Sequence, residues 1–337
     1  MNSLPIFSTR RGKAFFWAAL AALLLLSAAA SLLTGAASLA PGQVLAVLAG
    51  RDAEATAVRI VLHVRLPRTC AALLAGAALA ASGAVIQTVL NNPLASPGII
   101  GVNSGAGLAV ALACAITPLA QRFAPLVAFG GALAGTLLIM GLAQGTGAAR
   151  MTVALAGVAV SNLFSAGIDA VVTLAPDALN GVADFRVGGF SGVTMARLRP
   201  AAGIIAVGLA AILSLSRQMD VLALGGDTAR SLGLPVGRVR VALLVLAAAL
   251  AGAAVSFAGL LSFVGLIVPH TVRRLIGEDS LPLLLASILG GAFFVAACDL
   301  LARVLFAPFE LPVGIVLAFA GAPFFLWLLG RRRGGRR

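Results

Sequence analysis

Asp169 and Asp299 are carboxylates set inside long apolar runs, and Arg303 follows Asp299 by four residues. At that spacing two side chains meet on one helix face and can pair. Charges inside lipid-spanning segments are rare and default to functional candidates. The alternative is a structural ion pair near a helix end, and no chain of buried acids accompanies Asp299 to relay protons. His270 follows Pro269. It reads as a proton relay, a ligand, or a helix-end histidine hydrogen-bonded near the interface. No second His, Cys or carboxylate stands near it at ligand spacing, which favours the last. Cys70, Cys114 and Cys298 each lie within an apolar run and read as small buried hydrophobes.

The familiar catalytic signatures are missing from the sequence. There is no GxxxxGK[ST] phosphate loop, no HExxH and no GxSxG, and Lys13 is the single lysine. We therefore expect no catalytic residue, no metal site and no cofactor, and any ATP hydrolysis to belong to a separate subunit.

Composition sets the class. Hydrophobic residues make up 61% of the chain and charged residues 10%, and the mean hydropathy is +1.08. A soluble domain carries about 25% charged residues, so a soluble enzyme is excluded and an integral membrane protein is indicated. The net charge of +13 invites a nucleic-acid reading. Its scatter between apolar runs fits basic cytoplasmic loops instead, and no nucleic acid is expected.

The elements that must position these residues are apolar runs of spanning length. In order they are Phe15–Leu33, Leu66–Leu90, Gly98–Ile116, Pro125–Gly141, Thr152–Leu174, Pro200–Leu215, Val239–Ala258, Leu260–Val268 (short, ending at Pro269), Leu281–Phe306 and Pro312–Leu329. The first resembles a signal peptide, but its length and the spans behind it favour a retained helix. The fold class expected is an all-α polytopic membrane protein with about ten transmembrane helices, in one domain over 1–337. It has a cytoplasmic segment 1–14 and a basic tail 330–337. An even count puts both termini on one side. With that side cytoplasmic, 15 of the 24 basic residues fall inside, as the positive-inside rule requires.

The stretch Arg65–Gly107 organises the chain. Gly76, Ala80 and Gly83 share one helical face, which lets helices approach closely in lipid. In the loop at about 217–238, a Gly-Gly turn precedes Asp227, which reads as an N-cap, and Gly233 is a natural stop. The short helix between them is either a docking element or a plain amphipathic connector. Ser161 and Asn162 either face a translocation path or hydrogen-bond between helices. Arg273 and Arg274 are expected among lipid headgroups.

Several segments carry a resemblance. RLPRTCAALLAGAALAASGAVIQ, NNPLASPGIIGVNSGAG, LGGDTARSLGLPVGRVR, FVGLIVPHTVRR and DLLARVLFAPFELPVGIVLAFAGAPFFLWLL occur in that order. Together they resemble the FecCD/BtuC-type permease family, the membrane subunits of type II ABC importers for ferric siderophores, haem or vitamin B12. The resemblance implies the type II ABC importer permease fold. It also implies a second permease subunit (homodimer or close homologue), two copies of an ABC ATPase, and a periplasmic or lipid-anchored substrate-binding protein. The location implied is the bacterial inner membrane, with both termini cytoplasmic.

By the same resemblance, Gly226, Asp227, Arg230, Ser231 and Gly233 contact the ATPase. Arg65, Arg68 and Arg303 meet carboxylates of the binding protein, with the local Asp299–Arg303 pair as the alternative. The inner gate falls near Arg150 and Met151, where the vitamin B12 permease carries small hydroxyl residues. The substrate expected is a ferric siderophore, with haem or vitamin B12 as the alternative. A stand-alone secondary transporter is the rival class.

Overall fold

An apolar chain in lipid must satisfy its own backbone, and a helix does so within one segment. The computed structural model describes residues 6–7, 9–35, 37–51, 54–117, 123–144, 150–305, 307 and 309–333. These residues are helical nearly throughout and form no strand. In order the helices are α1 (Arg10–Leu33), α2 (Pro41–Leu48), α3 (Ala55–Ile60), α4 (Leu66–Leu90), α5 (Val102–Ile116), α6 (Ala124–Gln144), α7 (Arg150–Leu174) and α8 (Leu179–Val187). There follow α9 (Met195–Ser214), α10 (Ser216–Ala223), α11 (Gly226–Ser231), α12 (Val236–Ala258), α13 (Val264–Ile276), α14 (Ser280–Val304) and α15 (Val313–Arg333). A π-helical turn, Val61–Arg65, joins α3 to α4.

The ten expected runs reappear as α1, α4, α5, α6, α7, α9, α12, α13, α14 and α15. Among the described residues, seven helical spans are long and apolar enough to cross a membrane, and α5 and Val313–Leu326 of α15 are shorter apolar helices. The first helix begins at Arg10, within the segment expected to precede it.

The bundle is built around α4, whose neighbours are α12, α13 and α14. The apolar window containing α4 is 83% buried, against 17% for α7 and 22% for α1. Small residues put α4 in the centre. A Cβ at Gly76 would overlap the Gly291 carbonyl of α14, and one at Gly83 the Gly265 carbonyl of α13. The small-residue face read from the sequence therefore serves two neighbouring helices.

The eighth run differs from expectation. The helix begins at Val264 and continues through Pro269 to Ile276. Proline withdraws the N–H that would bond the carbonyl four residues back, here that of Gly265. Gln87 of α4 fills the gap, its Nε2 donating to Gly265 O at 3.1 Å and Leu266 O at 3.4 Å. Phe263, just before α13, has a left-handed backbone (φ 67°), and its ring lies against Gly321 of α15.

Long helices separate two poles. At one, Asp220 of α10 accepts from the Ser280 N–H that starts α14 (2.8 Å), and Arg273 at the end of α13 donates to Thr88 of α4 (2.8 Å). Arg273 thus turns inward instead of lying among headgroups. At the other pole the C-terminal end of α1, the start of α4 and the end of α14 converge on a buried ionic cluster.

Candidate functional site

The ionic cluster begins with the π turn, which delivers Arg65 to the end of α1. Its guanidinium donates to Leu32 O (2.9 Å), Leu33 O (2.8 Å) and Ala37 O (2.6 Å), carbonyls at and just beyond the end of that helix. Arg303 donates to Ser31 O (3.2 Å), Thr34 O (3.0 Å) and Ser31 Oγ (2.8 Å), while its Nε lies 3.1 Å from Asp299. Ser31 and Thr69 share a hydroxyl hydrogen bond of 2.7 Å. Arg68 forks onto Asp299 (3.0 and 3.1 Å) and reaches Glu310 at 2.5 Å.

Asp299 is fully buried, and Arg65, Arg303 and Arg68 are 3%, 3% and 7% exposed. Within the chain the three arginines are therefore engaged before any partner is added. Their guanidinium groups are spent on helix-end carbonyls, Asp299 and Glu310. A buried charge must be paired or hydrogen-bonded to be tolerated: Asp299 is paired with Arg68 and Arg303, and Arg65 is held by its three carbonyls. The Asp299–Arg303 pair expected from the spacing is present, but Asp299 also binds Arg68 from 231 residues away. Glu310 is the most exposed member, its side chain 32% exposed.

At the opposite pole α11 forms the second feature. Its N-cap is Gly225 (φ 111°), so Asp227 stands in the first turn and is not the cap. Asp227 pairs with Arg230 at 2.8 Å and its carbonyl accepts from Ser231 Oγ at 3.1 Å. The C-terminal end closes as a Schellman motif: Leu234 N donates to Ala229 O (3.0 Å) and Gly233 N to Arg230 O (2.9 Å), with Gly233 at φ 82°. Ala229 is fully buried, while Leu224 and Leu232 are 63% and 62% exposed. The helix is thus pinned by one face and presents Asp227, Thr228, Arg230 and Ser231 outward. Beneath it α10 buries Met219 and Leu222 completely, and its Asp220 caps α14.

The third feature is a cleft of about 200 Å³ between α5, α7 and α8, lined by Asn103, Ser104, Ser161, Ser165 and Arg186 among others. Ser104 donates to Ser161 at 3.1 Å, the interhelical bond that was one of the two readings of Ser161. Asn162 is exposed on the outer face of α7. Arg150 and Met151 open α7, and their side chains lie outside the described residues. Asp169 pairs with Arg186 of α8 at 3.3 Å, both largely exposed. His270 is buried, and the three cysteines are free. Among the described residues no group of three His, Cys, Asp or Glu side chains is placed to hold a metal ion.

Sequence reasoning missed Gln87, Asp220 and Glu310. Gln87 had a signal, being the one glutamine in the apolar run Leu66–Leu90. An amide held in such a run needs a partner.

Residues 23–331 match the FecCD transport family. The Fe(3+) dicitrate transport system permease protein FecD of Escherichia coli (strain K12) is 40% identical over 275 residues, covering 81% of this chain and 86% of that protein. The cobalamin import system permease protein BtuC of Halobacterium salinarum is 39% identical over 278 residues, covering 82% of this chain and 75% of that protein. A solved structure described as an inward-facing conformation of a transporter of the metal-chelate ABC type superposes with a TM-score of 0.81 at 28% identity, covering 95% of this chain and 99% of that one.

Proposed function

Because this chain belongs to the FecCD transport family, we propose that it is the permease subunit through which an ABC importer carries a ferric siderophore across the bacterial inner membrane. The observation that carries the reading is α11: a short helix, fixed at both ends by glycines of positive φ, pinned by Ala229 and otherwise exposed. An ABC importer's permease that carries no nucleotide-binding loop of its own takes its energy from a partner, and α11 is the exposed element we assign to receive it.

In the mechanism, a separate ATPase grips Gly226, Asp227, Arg230, Ser231 and Gly233. Two ATPase copies serve two permease subunits. Motion passes from α11 to α10 and, through Asp220 on the Ser280 N–H, to α14. The pole carrying α11 faces the cytoplasm, which puts both chain ends there. The outward side of α7, where Leu155, Val158 and Leu163 are exposed, faces the second permease subunit, and the substrate passes along it beside Asn162, with Ser161 lining the cleft on the α5 side of the same helix. Arg150 and Met151 open the same helix at the cytoplasmic end, where the inner gate is placed. A periplasmic or lipid-anchored binding protein delivers the chelate to the opposite pole. There Arg65, Arg68 and Arg303 hold the docking surface in shape from within.

A substrate path that releases its cargo is weakly polar and carries no tight site. The nearly equal identities to a ferric dicitrate permease and a cobalamin permease keep vitamin B12, and with it haem, as the second reading. Uptake of labelled ferric siderophore, haem and cobalamin in a deletion strain complemented with this chain separates them. The proposal expects the siderophore alone to be restored, and restoration of cobalamin or haem in its place would replace it.

A further inference from the structure

We propose that the groove between α1, α13 and α14 holds an acyl chain of an anionic phospholipid, with the headgroup resting on Arg10, Arg11, Lys13 and Arg274. The inference rests on the chain's embedding in a bilayer and not on its substrate. The groove has a volume of about 340 Å³ and is lined by Phe15, Leu23, Ile267, Val272 and Phe293 among others. Its polar side chain, Thr271, donates to its own helix at Ile267 O (2.9 Å) and offers a ligand little. Gly290 leaves the floor open: a Cβ there would make only ordinary contact with Val268 and Leu20.

The groove follows α1 from Phe15 to Leu23, about 12 Å of helix. Phe7 closes its near end, its ring 5.8 Å from that of Phe16 and 6.3 Å from that of Phe15. The backbone there is fixed, Phe7 N donating to Leu275 O (2.9 Å) and Ile6 N to Arg274 O (3.3 Å). The chain then enters α1, which places Arg10, Arg11 and Lys13 at that same end, beside Arg274. All four are exposed, and among the described residues none is in an ion pair. An apolar slot that runs along α1, a helix long and apolar enough to cross a membrane, and starts beneath four exposed cations matches a lipid with one buried chain and a negative headgroup.

The test uses the full chain, purified in detergent and mixed with phosphatidylglycerol or phosphatidylcholine of identical acyl chains, with retained lipid read by native mass spectrometry. The unaltered chain should retain phosphatidylglycerol over phosphatidylcholine by roughly tenfold. Arg10→Gln/Arg11→Gln/Lys13→Gln, confined to exposed side chains, should bring the ratio near one. Gly290→Leu should reduce retention of both lipids. Arg59→Gln/Arg197→Gln/Arg199→Gln, remote cations, should leave the ratio unchanged. The proposal is overturned by equal retention of the two lipids, by a preference that survives the first triple substitution, or by one equally lost in the remote triple. Undiminished retention in Gly290→Leu also overturns it.

Discussion

Arg68 and Asp299 form a forked ion pair (3.0 and 3.1 Å) that bolts the start of α4 to the end of α14. Eight residues further into each helix, Gly76 meets Gly291 at backbone contact. The two helices run antiparallel, so the pair and the glycine contact stand in register, about 12 Å apart along each. A polar clamp at the pole and a close backbone crossing within the bundle therefore fix the same interface.

The clamp makes Asp299 the residue on which the cluster depends. Asp299→Asn keeps the shape but leaves Arg65, Arg68 and Arg303 with Glu310 as the one carboxylate partner among the described residues. Breaking a buried pair costs about 3–5 kcal/mol, so the purified variant should melt well below the parent. Arg68→Met/Asp299→Leu, which removes both charges, should melt higher than Asp299→Asn. An unchanged melting temperature for Asp299→Asn would show that the cluster contributes no stability.

The proline of α13 gives a sharper test. Gln87→Leu strands the Gly265 carbonyl that its Nε2 serves in place of the missing proline N–H, at a cost of about 1–3 kcal/mol. Pro269→Ala restores the missing N–H to Gly265. In the Gln87→Leu background it should recover much of that loss, and alone it should do little. A double-mutant cycle on thermal unfolding reads the coupling. Strict additivity would mean that Gln87 is not filling the proline gap.

Arg230 tests the exposed helix. Its pair with Asp227 is on the surface and adds little to stability, so Arg230→Glu should express, insert and melt like the parent. Transport driven by the ATPase should fall to background, because the surface offered to the partner changes sign. Normal uptake at normal expression would remove α11 from the coupling path.

Much of this architecture is legible in the sequence because lipid imposes a simple rule: apolar runs become helices. The small face of α4 and the glycine-bounded turn of α11 follow from local spacing in the same way. What stays hidden depends on partners far apart in the chain. Pro269 reads as a helix stop because its relief, Gln87, lies on another helix 178 residues from Gly265. In the ionic cluster, local spacing reveals Asp299–Arg303 but not Arg68–Asp299, and cannot show that the end of α1 offers carbonyls to Arg65. Asp227 reads as a cap because Asp is a better cap by type; the backbone places Gly225 there.

On this proposal the chain is a conduit moved from outside by a nucleotide-hydrolysing partner. Reconstitution into liposomes measures it directly, with labelled ferric chelate outside and the ATPase and binding protein added or withheld. Uptake is expected only when both partners and ATP are present, and none from the chain alone. Sustained accumulation of the chelate by the chain alone, without nucleotide, would contradict it.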